Sequence, residues 1–106
     1  VTKKRPEIVN GSTRHIATKC GRLFLTINKI DGKLYEVDMK MGKPGSCSNV
    51  WLQEMGYLLT LAIQEGWPLE KIIVRWDKKT CDGPQKGLTC LVGITQKLKE
   101  EMEETA

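Results

Sequence analysis

A chain of 106 residues predicts one domain with a modest core, and 40% hydrophobic with 28% charged residues excludes disorder throughout. Its net charge of +4, from 17 basic and 13 acidic residues, is too mild to argue for nucleic acid by itself. No apolar run approaches the roughly 18–20 residues that span a bilayer, which excludes a transmembrane helix from the sequence reading.

Polar ends bracket the chain, with Lys3, Lys4 and Arg5 at one and Glu100, Glu101, Glu103 and Glu104 at the other. Fraying is expected over Val1–Arg5 and from about Glu100, which leaves a core of about residues 14–99. The start at Val1 leads us to expect a processed chain or a piece of a longer one. With no leader pattern visible, the cytoplasm is the expected compartment.

In chain order, Arg14–Thr18 alternates weakly and predicts a short strand. Arg22–Asn28 places Leu23, Leu25 and Ile27 on one face, a period of two. Lys33–Met39 alternates again, with Tyr35, Val37 and Met39 opposite Leu34, Glu36 and Asp38. Asp31-Gly32 between these runs is a two-residue turn signal, so Arg22–Lys40 predicts a β-hairpin. Met41–Ser46 is a loop. A long helix follows from about Ser48 to Gln64, its apolar residues nearly encircling it, which predicts a central buried helix. Gly66 suits its C-terminal stop, and Pro68 suits the first turn of a shorter second helix. Asp82-Gly83-Pro84 opens a loop. A last helix is expected from about Leu91 to Glu101, with Leu91, Ile94 and Leu98 on one stripe. The expected fold class is α+β: a small antiparallel sheet on a central helix, with two further helices.

The four cysteines, Cys20, Cys47, Cys81 and Cys90, fall at the boundaries of these elements rather than on their apolar faces. Three readings are open: metal ligands, buried free thiols, and disulfides or redox thiols. Boundary positions favour ligation of one zinc ion by all four. Cys47 and Cys90 stand at predicted helix N-termini, where partial positive charge favours the thiolate that zinc needs. Lys19, Lys43, Lys79 and Lys86 are placed to offset the negative charge, and Gly21 and Gly45 to let backbone amides reach sulfur. Familiar Cys-x-x-Cys knuckles are missing, and their absence also argues against a thioredoxin-like motif.

These residues resemble the TSCPD domain, found at the C-terminal end of cobalamin-dependent ribonucleotide reductases and as a stand-alone protein. Arg5-Pro6-Glu7 matches its Arg-Pro-Glu segment, and Lys19-Cys20-Gly21 its Gly-Cys-Gly with one glycine lost. Met41-Gly42-Lys43-Pro44-Gly45-Ser46-Cys47 matches its glycine-rich cysteine loop. Gly66-Trp67-Pro68-Leu69-Glu70-Lys71-Ile72-Ile73 is similar to its Gly-x-Pro-x-Glu-x-Ile-Ile. Cys81 takes the place of a Cys-Pro turn without the proline, and Thr89-Cys90-Leu91-Val92 stands where Ser-Cys-Pro-Asp is expected. The resemblance implies the fold, the four-cysteine site and an association with nucleotide reduction in DNA synthesis. Radical chemistry and cobalamin binding belong to a barrel domain that these residues do not form.

Other candidates carry weaker signals. His15, the sole histidine, reads as an ordinary surface or half-buried residue. Trp51, on the all-apolar helix, reads as core, and Trp76, beside Arg75, Lys78 and Lys79, is the better candidate for an exposed stacking contact, with packing its plainer reading. The loop carrying Lys43, Gly45 and Ser46 runs into a helix N-terminus and is a candidate anion site, although it lacks the order of a phosphate-binding P-loop. Its plainer role is to present Cys47. The expected function is a non-catalytic zinc-binding accessory module that binds a reductase, a nucleotide or nucleic acid through Lys43, Arg75, Lys78, Lys79 and Lys86. The alternatives are a thiol–disulfide partner of a reductase, or a phage-type protein that sequesters a small ligand.

Overall fold

Alternating side chains build the sheet. The computed structural model describes residues 10–43, 45–83 and 86–105. Strands β1 (Asn10–Thr18), β2 (Gly21–Ile30) and β3 (Lys33–Met41) form an antiparallel meander in the order β1-β2-β3. Leu23, Leu25 and Ile27 of β2 and Val37, Met39 and Met41 of β3 point to one buried face, joined by Ile16 of β1. The opposite face carries polar residues and the cross-strand pair His15–Phe24, whose rings stack at 4.7 Å. Asp31-Gly32 makes the second hairpin turn, both residues at positive φ, as the sequence predicts.

Three helices complete the α+β domain: α1 (Cys47–Gln64), α2 (Leu69–Trp76) and α3 (Cys90–Thr105). Helix α3 lies against β1 and β3, and its Ile94 and Leu98 are fully buried in the cluster that holds Leu25 and Met39. Truncating Leu25 or Leu98 to Ala would cost about 2–5 kcal/mol, a large share of the stability of a chain this small.

Helix α1 runs along the free edge of β3 and satisfies its outward backbone groups. The Met41 N–H donates to Asn49 Oδ1 at 3.0 Å, and the Val37 N–H to Thr60 Oγ1 at 2.9 Å. Gln64 Nε2 donates to the Tyr35 carbonyl at 3.3 Å. An edge strand left open is an invitation to wrong pairing; here side chains of a helix close it. Gly56 permits the approach, because a Cβ there would stand 3.0 Å from the Val37 oxygen.

Several expectations need correction. Helix α1 buries one side only, and Trp51, read as core, is 71% exposed, with Val50, Tyr57 and Leu58 also outside. A three-stranded sheet offers one core face and α3 occupies it, so α1 cannot be enclosed on all sides. Trp76, the candidate for an exposed contact, takes its plainer reading and is half-buried against the core. The first strand begins at Asn10 rather than Arg14, and Cys20 lies in the tight turn between β1 and β2. The fraying expected from Glu100 gives way to continued helix through Thr105, because Glu101 is 3% exposed and paired with Arg14 and Lys29 at 2.5 and 2.8 Å. Val1–Arg5, Arg5-Pro6-Glu7, Pro44 and Pro84 lie outside the described residues. Among those described, no helix is long and apolar enough to cross a membrane.

Candidate metal centre

Three of the four cysteines meet at one end of the sheet. Cys20 is carried by the β1–β2 turn, Cys81 by the segment after α2, and Cys90 by the first position of α3. Their sulfurs all lie within 4.8 Å of one another. Cys20 Sγ and Cys81 Sγ are 3.8 Å apart, and Cys81 Sγ and Cys90 Sγ 3.7 Å. These are free thiols, not disulfides. Thiolates about 2.3 Å from a tetrahedral zinc ion stand about 3.8 Å from each other, so two edges of the cluster already have the length of a tetrahedral shell.

Backbone geometry holds the sulfurs there. The Thr18 hydroxyl donates to the Gly21 carbonyl at 2.7 Å and accepts the Cys20 N–H at 3.2 Å, which ties the turn. Cys90 Sγ also reaches Thr18 Oγ1 at 3.5 Å, so this buried threonine braces two of the three ligands. Lys19 N–H donates to the Leu88 carbonyl, and Leu88 N–H to that of Ala17, which docks the approach to α3 on the end of β1. Gly83 passes so close to the turn that a Cβ would fall 2.0 Å from the Lys19 oxygen. The sequence reads Thr18 as strand and Gly83 as loop but carries no signal of their roles here, which arise from segments about sixty residues apart.

Electrostatics separates Cys20 from Cys81. The Cys90 N–H donates to Cys81 Sγ at 3.3 Å. That amide, with hydrogen bonds from the Cys90 and Cys20 thiols and the Gly83 amide, holds the Cys81 thiol below its ordinary value against the opposing effect of burial. Cys20 is pushed up to about 12, first by its hydrogen bond with Cys90, then by burial and by Cys81. Three thiolates this close repel one another, and a dication at their centre would reverse that balance. The amides that serve the central sulfur, Cys81, are those of Cys90 and Gly83.

Cys47 is exposed and outside this group, so the structure shows a three-sulfur cluster rather than a four-cysteine tie. Its position is still informative. Met41, the last residue of β3, pairs with Leu23, so the loop to α1 leaves the sheet at the end where Cys20 stands. Ser46 caps α1 by accepting the Asn49 N–H at 3.3 Å, and the loop residues Gly42 and Gly45 have positive φ.

The family model for the TSCPD domain matches residues 1–102. The chain belongs to the TSCPD domain family. That membership supports the relation to the C-terminal domain of ribonucleotide reductases, and this TSCPD domain carries a cysteine cluster compatible with metal binding. Among curated proteins and among solved structures, nothing matches it.

The basic candidates separate into two groups. Arg75, Lys78 and Lys79 converge with Lys71 and Val74 around a depression of about 260 Å³ at the end of α2. Lys43, with Gly45 and Ser46, belongs to the loop before α1, and exposed Lys86 to the segment before α3. His15 is exposed on the outer sheet face, stacked on Phe24.

Proposed function

We propose that this TSCPD domain is a zinc-binding, non-catalytic accessory module. Cys20, Cys81 and Cys90 hold the ion, and Cys47, at the same end of the sheet, supplies the fourth sulfur. The observation that carries the reading is the pair of sulfur separations, 3.7 and 3.8 Å, together with a backbone amide on the central sulfur. When bound, zinc in a closed sulfur shell serves structure: no position is left for water or substrate. It would clamp the β1–β2 turn, the segment after α2 and the start of α3. The module acts in the cytoplasm, where thiols stay reduced, beside a ribonucleotide reductase in DNA synthesis. Lys78 and Lys79 contact the acidic surface or phosphate of its partner.

Elemental mass spectrometry of the purified chain, with thiol counts before and after chelation, tests the centre. One zinc per chain, lost in Cys90→Ser, is the expected result. A metal-free protein whose thiols cycle to disulfides at cellular potentials would replace this reading with that of a redox partner. Binding to a reductase or to a nucleotide should weaken with salt and in Lys78→Ala/Lys79→Ala; salt-independent binding would remove the basic contact.

A further inference from the structure

The apolar stripe that α1 turns away from the sheet has no use in the metal centre. Exposed Trp51, half-buried Met55 and exposed Leu58 follow one another at spacings of four and three residues, and buried Ala62, four residues further on, lines the same groove, the spacing of a seam by which two helices pack side by side. Trp51 is 71% and Leu58 63% exposed. Helices α1 and α2 scarcely pack on each other. The groove between them holds about 580 Å³ and is lined by Met55, Leu58, Leu61, Trp67, Ile72 and Trp76. This much contiguous apolar surface is the mark of an interaction site.

Charge identifies the occupant. The charged residues that line the groove are Lys71 and Arg75 on the α2 wall and Glu65 at the C-cap of α1. Glu54 precedes Glu65 by eleven residues, three helical turns, and so shares its strip. No Lys or Arg occurs in α1. One flank of the seam is acidic and the other basic. An acidic helix laid here would meet Glu54, and a basic one would meet Arg75. A second copy avoids both conflicts: a two-fold axis parallel to α1 sets seam on seam and the acidic flank of each copy against the basic flank of the other.

We propose that the chain forms a two-fold homodimer through the α1 seam and the α1–α2 groove, with Glu54 of each copy facing the Arg75 flank of the other. Lys78 and Lys79 stay outside this interface. Sedimentation velocity of the full chain from low to high micromolar concentration tests it. A dimer is expected, with Leu58→Glu monomeric and unchanged in circular dichroism. Arg75→Glu, at an exposed position that leaves the fold intact, should raise the dimer dissociation constant at least about tenfold, and adding Glu54→Arg in the same chain should restore it. A chain that stays monomeric throughout overturns the proposal. So does a dimer that Leu58→Glu and Arg75→Glu both leave intact, and a weakened dimer that Glu54→Arg fails to rescue overturns the flank pairing.

Discussion

Cys20, Cys81 and Cys90 reach one point from segments 61 and 9 residues apart, and each makes a different contribution. Cys81 takes the amide bonds and yields its proton more readily than Cys20, which holds its own up to about 12 without a metal. Zinc loading at neutral pH should therefore release at least the Cys20 proton, and affinity should fall steeply as pH drops; titration in buffers of different ionisation enthalpy counts the protons. Cys47→Ser should weaken zinc at least about tenfold if Cys47 completes the shell, and an unchanged affinity in a competition titration would assign the fourth position elsewhere. Glu101 offers a second residue-scale test. Lys29 first, then Arg14, holds its carboxyl below the usual range, against burial. A depressed acid adds stability that is present above its unfolded pKa, about 4.3, and is lost as pH falls through the lower folded value. Glu101→Gln should cost about 1–3 kcal/mol at pH 7, and the gap in denaturant midpoint should close below about pH 4.

Two glycines decide how the elements meet. At Gly83 a Cβ would collide with the Lys19 backbone, so Gly83→Ala should push the Cys81 segment off the turn and reduce zinc content, while α1 and its edge contacts remain. At Gly56 the collision is with the Val37 and Met39 backbone, at 3.0 and 3.3 Å. Ala is the better helix former by about 1 kcal/mol, yet Gly56→Ala should destabilise by about 1–3 kcal/mol, read from urea midpoints, because backbone cannot give way as a side chain can. The hairpin, the three helices and the Gly66 stop were legible because each rests on local periodicity or a local turn. Asn49, Thr60 and Gln64 as a polar cover for β3 were not legible, since their partners are backbone groups brought near only by the packed helix.

At the scale of the molecule, a small core is braced at one end by the cysteine cluster and along one edge by α1. A dication there would join three segments of a domain that has little buried surface to spare. Chelation should lower the melting temperature by about 10 °C, and Cys90→Ser should melt near the chelated parent. The seam on α1 leaves the opposite side apolar, where a second copy would complete the burial that α1 lacks within one chain.

The sequence alone determined the α+β class, the second hairpin with its Asp31-Gly32 turn, the three helices, the family resemblance, and cysteines placed at element boundaries. These follow from spacing along the chain, which side-chain periodicity and turn chemistry record directly. Only the tertiary structure decided which tryptophan packs against the core, which three sulfurs meet, and which amides serve them. Those outcomes depend on a three-stranded sheet having a single core face, taken by α3, and on a tight turn at Lys19-Cys20 that Gly83 alone is small enough to pass.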